Sequence, residues 1–351
     1  MLAAALRGGP FPDGPGALAA AEYHGVGPLV LAGGGAAALM AGARARAMWE
    51  LRHRAVLARL LAALEAAGVA ALVIKGTALA YDLYEDAALR PRGDTDILIA
   101  PADLPAARAV LAANGFRPGL GEDAPEGASQ EVWQTLPPGG GAAHDIDLHW
   151  QAFNGPTLGP LIPVAEAMAE AVPLPRLAPG ARALSRPHGL LHACVHRAQH
   201  ILSPYFVAGE AHYGGDRLIW LCDIDRLARA LTPGEWALLA DRAASRGVAP
   251  VCAGALDEAA RLLGTPLPGE VMARLSAAPA GPVTQYLLAS GRQGRALSDL
   301  RASGGRGRWH YLRARLFPPA AFMRGQYPHS RMPLALLYLR RIARFAGGGR
   351  P

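Results

Sequence analysis

The chain has 351 residues, half of them hydrophobic, with a formal net charge of +7 and a pI near 9.7. That length allows two or three domains and a sizeable core. Cys194, Cys222 and Cys252 are far apart and form no C-x-x-C, which excludes a zinc ribbon and a disulfide framework. No basic run interleaved with aromatics is present, so a nucleic-acid partner is not expected.

Residues 1–43 are rich in Ala, Gly and Pro and predict short helices with poor boundaries. The apolar stretch Leu29–Met40 is too short and too glycine-broken to span a bilayer. No signal-like start precedes it, so a reduced, cytoplasmic location is the default expectation. From Ala45 a helix is clear, with Met48, Leu51, Val56, Leu60, Leu61 and Leu64 giving an apolar face and Gly68 ending it. Ala70–Ile74 then reads as a buried strand, Gly76-Thr77 as a turn, and Ala78–Tyr84 as a helix. Asp94–Ile99 is a second strand and Asp103–Ala113 a helix. Glu131–Leu136 and His144–Trp150 read as strands joined by a turn at Pro137–Gly141. Past residue 155 the signals are helical: Pro187–Leu202, Leu218–Ala230, Glu235–Arg246, Pro250–Leu263, Val283–Leu288 and Pro333–Phe345. The stretch Gly291–Gly307 reads as flexible. The expected organisation is a helical segment over 1–65, an α/β unit over 66–155 and a mainly helical region over 156–351.

The chemistry concentrates in the α/β unit. Residues two apart on a strand point to the same side. Asp94 and Asp96 therefore share one face, as do Asp145, Asp147 and His149 on another strand. Carboxylates this close repel unless a cation neutralises them, and an all-oxygen cluster suits Mg²⁺, with Mn²⁺ as the alternative. Gly76 lets the backbone approach a ligand, and the helix N-terminus after it offers free N–H groups to phosphate. Thr77 can cap that helix or bond a phosphate oxygen. Lys75 is the only lysine beside 34 arginines; with Arg90 and Arg92 it supplies nearby positive charge. A structural reading of Lys75, pairing with Asp82 or Glu85, stands beside contact with phosphate or with the carboxylates.

The stretch Ile74-Lys75-Gly76-Thr77-Ala78-Leu79-Ala80, then Tyr84, then Leu89–Ile99 with Asp94-Thr95-Asp96, resembles a bacterial nucleotidyltransferase family of the DNA polymerase beta superfamily. Asp145-Ile146-Asp147-Leu148-His149-Trp150 resembles that family's third-carboxylate strand. Helical stretches also resemble it: Leu190–His200, Leu218–Asp225 and Leu316–Pro319. The resemblance spans most of residues 45–345. It implies an α+β fold, a small mixed sheet with extensive flanking helices. It also implies transfer of a nucleoside monophosphate from an NTP such as ATP to an acceptor, with release of pyrophosphate. Carried over residue by residue, it makes Asp94, Asp96 and Asp147 the catalytic metal ligands. Gly76-Thr77 becomes the phosphate-binding turn, with Lys75, Arg90 and Arg92 around it. The acceptor, a small molecule, peptide or protein, is not specified. Thr95 departs from the superfamily pattern, which has an apolar residue between the two aspartates. The alternative is a catalytically silent scaffold of a biosynthetic cluster that binds a nucleotide or peptide.

Three features lie outside this core. His188, His192, His196 and His200 recur every four residues and form a drifting stripe on one helix, suited to packing or to lining the cleft. Asp223 and Asp225 sit in a predicted helix, where residues two apart diverge, so they read as helix packing. The tail Arg306–Arg344 is a basic, partly amphipathic run. It could touch an anionic membrane or a leader peptide, although a solvated face is the expected reading.

Overall fold

A computed structural model describes all residues except 13, 36, 120–128, 136–142, 202–204, 208–209, 213–214, 289–291, 328–329 and 347–351. The fold is α+β. Seven strands form one mixed sheet: β1 (Ala71–Ile74), β2 (Asp94–Ile99), β3 (Arg117–Pro118), β4 (Gln130–Thr135), β5 (His144–His149), β6 (Val172–Pro173) and β7 (Arg182–Ala183). Their spatial order is β3-β4-β5-β2-β1-β7-β6. β1 and β2 run antiparallel, β2 and β5 parallel, and β4 and β5 antiparallel. The short strands β6 and β7 come from beyond residue 155, and β7 lies parallel to β1. The expected turn at 137–141 falls outside the described residues.

The sheet is apolar on both faces, so each face must be covered. Val73, Ile97, Ile99, Ile146 and Leu148 pack against Leu57, Leu60 and Leu64 of the helix Met40–Ala66 and Ala107 and Leu111 of the helix Leu104–Ala113. Each fully buried leucine contributes roughly 1.5–3 kcal/mol. On the opposite face, Leu72, Ile74 and Leu98 meet Leu190, Leu191 and Val195 of the helix Arg186–Ile201. Behind that helix lie Leu218–Ala230, Pro233–Ser245 and Ala249–Leu263. The helix Pro233–Ser245 opens on a capping box, in which Thr232 and Glu235 satisfy each other's backbone N–H groups.

Three elements differ from the sequence reading. The long helix begins at Met40, and its first half does not present Met48 and Leu51 to the core; they are 56% and 66% exposed. Glu50 and His53 occupy the buried stripe instead. The helix after β1 begins at Lys75, so Gly76 and Thr77 lie in its first turn rather than before it. Most of the stretch expected to be flexible is helical, as Arg292–Ala302 and the start of Gly304–Leu316.

Candidate active site

The register of β2 on β5 builds the site. Asp94 lies opposite Asp145, Asp96 opposite Asp147, and Leu98 opposite His149. Partners in register share a face, so all four aspartates and His149 point toward the C-terminal helices. Asp96, Asp147 and His149 each offer a ligand atom within 4.8 Å of the others. Asp94 lies at the open end, more accessible to solvent as a residue than Asp96 or Asp147, although it lines the same cleft. Gln130 on β4 donates to Asp147 Oδ2 at 3.3 Å. Asp145 Oδ1 and His149 Nδ1 are buried without a partner.

Lys75 enters this cluster by an unusual backbone turn. Its φ is +55°, the only positive value at a non-glycine residue among those described. The left-handed conformation costs about 1–3 kcal/mol and persists only where surrounding structure imposes it. Here it ends β1 and starts the helix Lys75–Leu83 in a single residue. The ammonium forms an ion pair with Asp96 Oδ1 and lies 3.5 Å from His149 Nε2. His149 Nε2 is also 2.7 Å from Asp96 Oδ1. Asp82 pairs with Arg186 instead.

The electrostatics follow from this crowding. Burial alone would raise the Asp96 carboxyl, but Lys75 and His149 overcome it and hold Asp96 well below the usual carboxylate range. Asp147 is pushed up to about 7 by burial and by repulsion from Asp96 and Asp94. Asp94 is pushed up to about 6 by desolvation in the cleft and by Asp96. Burial, reinforced by Lys75, keeps the His149 imidazole low. The cluster is thus short of positive charge although Lys75 is present. The oxygen-rich donor set would suit a hard divalent cation, but the side chains whose ligand atoms converge are Asp96, Asp147 and His149; Asp94, expected as a ligand, is not among them.

Lys75, Gly76, Arg90, Arg92, Asp94, Asp96 and Asp147 all line one cavity of about 800 Å³. Its size lies within the usual range for small-molecule sites, ~300–1,000 Å³. His196, His200 and Trp220 form the facing wall. His196 stands edge-on to Trp220 at 5.9 Å, and His200 lies 5.7 Å from it. His188 and His192 are buried and pack within the helical layer. The stripe therefore divides, with two histidines in the helix core and two at the cleft.

The remaining site residues have partners within the protein. Thr77 does not cap its helix, and its buried hydroxyl faces away from the cavity. It bonds Thr95 Oγ1 at 2.9 Å and accepts from Arg92 Nε at 2.8 Å. Arg92 also donates to Glu50 at 2.6 Å, and Tyr81 donates to the same carboxylate oxygen. Arg90 grips Asp223 through Nε and Nη2 and gives Nη1 to the Pro91 carbonyl at 2.7 Å. Both guanidiniums border the cavity, but buried carboxylates hold them, because an unpaired buried charge is strongly unfavourable. Gly76 has a local reason: a Cβ there would sit 3.0 Å from Arg90 Nη1. Asp223 bonds Tyr84 and Arg90, while Asp225 bonds Arg229 and Thr265, so the two diverge as a helix requires.

Sequence reasoning left two groups unassigned. His149 was placed on the carboxylate face without a role. The network His144–His53–Thr95–Thr77 behind β2 went unseen: His53 Nδ1 lies 3.0 Å from His144 Nδ1, and His53 Nε2 lies 2.7 Å from Thr95 Oγ1. The available signal was Thr95, a threonine where an apolar residue was expected.

A strand pair bearing same-face aspartates thus meets a strand-to-helix turn at one cleft. The chain belongs to a nucleotidyltransferase family: residues 15–264 match the family described as uncharacterised nucleotidyltransferase. No curated protein matches the chain significantly.

Proposed function

We propose that the protein is a metal-dependent nucleotidyltransferase that moves a nucleoside monophosphate from an NTP to an acceptor hydroxyl. The observation that carries this reading is the in-register placement of Asp94, Asp96 and Asp147 beside Lys75 and Gly76 in one cavity. Asp94, Asp96 and Asp147 would hold Mg²⁺. When bound, the metal supplies Lewis-acid stabilisation of charge on the phosphoryl oxygens. Lys75 lies where its ammonium can leave Asp96 for a triphosphate oxygen. The N-terminus of the helix Lys75–Leu83 opens toward the same space and favours anionic groups. The acceptor oxygen forms a bond to the α-phosphorus, the bond to the β-phosphate oxygen breaks, and pyrophosphate leaves. The acceptor proton passes to the carboxylate cluster.

Asp94→Asn with Asp96→Asn should abolish Mn²⁺ binding in calorimetric titration and NTP turnover with Mg²⁺, with the fold retained at a lowered melting temperature because Lys75 loses its counter-ion. Unaltered Mn²⁺ binding in the double variant would remove the assignment. One observation favours a second reading, a catalytically silent scaffold. Asp96 already has Lys75 as a counter-ion, so the cluster has an internal substitute for a cation. Nucleotide binding that persists without turnover of any of the four NTPs, across candidate acceptors followed by mass spectrometry, would select that reading.

A further inference from the structure

We infer that the segment after Arg292 is a docking surface for an anionic lipid membrane. Between residues 292 and 351 the chain carries thirteen arginines and one acidic residue, Asp299. Residues 1–291 carry 22 basic and 27 acidic residues. The net positive charge of the protein therefore resides entirely in this segment, which lies beyond the family match at 15–264.

The segment is a built layer. Arg341 Nε donates to the Arg315 carbonyl at 2.9 Å, and Tyr338 donates to the Pro318 carbonyl at 2.7 Å. Phe317 stands edge-on to Tyr338 at 5.6 Å. These contacts tie the helix Gly304–Leu316 to the helix Leu334–Ala346. Yet this sixth of the chain holds seven of the fourteen exposed large apolar side chains among the described residues. Trp309 is 69% exposed and Leu339 61%.

The placement of these side chains selects the partner. Trp309 and Leu312 are three apart on one helix, with Arg308 and Arg313 next to them. Leu336 and Leu339 are three apart on the other, with Arg340 adjoining. A polynucleotide would satisfy the arginines and leave the leucines in water. A bilayer interface accepts both, since apolar side chains enter the acyl boundary while arginines stay at anionic headgroups. No described helix is long and apolar enough to cross a membrane, so the contact is peripheral. This inference does not depend on the nucleotidyltransferase reading.

The test is cosedimentation of the full chain with vesicles of phosphatidylcholine alone, and with phosphatidylglycerol added. Binding is expected only to the anionic vesicles, and should fall as salt rises. Trp309→Glu with Leu339→Glu should lower the partition coefficient by about ten-fold or more, because both side chains must leave the interface. A second variant, Arg306→Gln, Arg308→Gln and Arg340→Gln, should weaken binding through charge alone; it reads the same outcome should the glutamate variant fail to fold. Absence of binding to either vesicle overturns the inference. So does equal vesicle binding by wild type and both variants, or retention on duplex DNA without vesicle binding.

Discussion

At the scale of one residue, Lys75 carries two unfavourable features at once: a left-handed backbone and a largely desolvated ammonium. Asp96 repays the second by a direct ion pair, and the resulting geometry places a mobile point charge between a carboxylate and an imidazole. An arginine there would bring a wider planar fork into the same space. Lys75→Arg should therefore lower turnover at least several-fold while retaining charge and melting temperature. Lys75→Met should weaken triphosphate binding by about 1.5–3 kcal/mol, the range for a lost charged hydrogen bond. Wild-type kinetics in Lys75→Arg would show that the cation, and not its shape, is what matters. The composition pointed to this residue because a chain using 34 arginines departs from arginine there alone. Its pairing with Asp96 rather than with Asp82 or Glu85 was not legible. That choice depends on the backbone turn, and no pattern of residue types encodes a positive φ at lysine.

At the scale of elements, the helix Met40–Ala66 shows where periodicity misleads. Its true buried stripe includes Glu50 and His53, which a hydrophobic pattern assigns to solvent. They are buried because they answer polar groups on neighbouring elements, Arg92 and Tyr81 for Glu50, Thr95 for His53. Leu60, Leu61 and Leu64 answer an apolar sheet and were legible for that reason, whereas Leu57, equally buried, lay off the expected face. The strand bearing Asp94 and Asp96 and the one bearing Asp147 were legible from alternation, whereas β6 and β7, two residues each, are too short for any period to register. Thr95 joins these elements, since its hydroxyl meets both His53 and Thr77. Thr95→Val keeps the shape but leaves those buried groups without that partner. It should destabilise the fold by about 1–3 kcal/mol in urea titration. Adding His53→Leu should recover part of the loss, giving a non-additive double-mutant cycle. Additive effects would show that the contact is incidental.

At the scale of the whole molecule, the helical layer that closes the cleft carries neutral histidines, His192 buried in the layer and His196 and His200 half-buried at the cleft. Burial is the main cause that lowers His192 to about 3 and His200 to about 4, with His196 well below its usual value. Lys75 and His149 also oppose protonation of His192, while Asp96 favours it. His192 is further fixed by the Ala152 carbonyl at 3.2 Å and by stacking on Phe153 at 4.4 Å. The unfolded chain takes up protons on these rings near 6.5, and the native chain resists until far lower pH. Their contribution to stability is complete above about pH 6.5 and is lost as pH falls toward 4. Each ring adds up to ~1.4 kcal/mol per pH unit in that window. The urea midpoint should drop between pH 7 and pH 5, and His192→Phe should flatten part of the slope. Asp147 and Asp94, raised in the native chain, work in the opposite sense, so a pH slope unaltered by His192→Phe is the result that would contradict the burial argument.

The pairing of β2 with β5 has one more consequence. The two strands that carry the aspartates are adjacent in space, yet residues 100–143 run between them in the chain. The connections within that stretch can change length, whereas its helix Leu104–Ala113 and strand β4 are part of the core, since Ala107 and Leu111 pack on the sheet and β4 pairs along β5. A longer connection leaves Asp96 opposite Asp147. One residue inserted within β2 would instead invert its alternation and turn a carboxylate toward Leu57 and Leu60, where no cation waits. Relatives of this chain should thus differ freely in length between these strands and hardly at all within them.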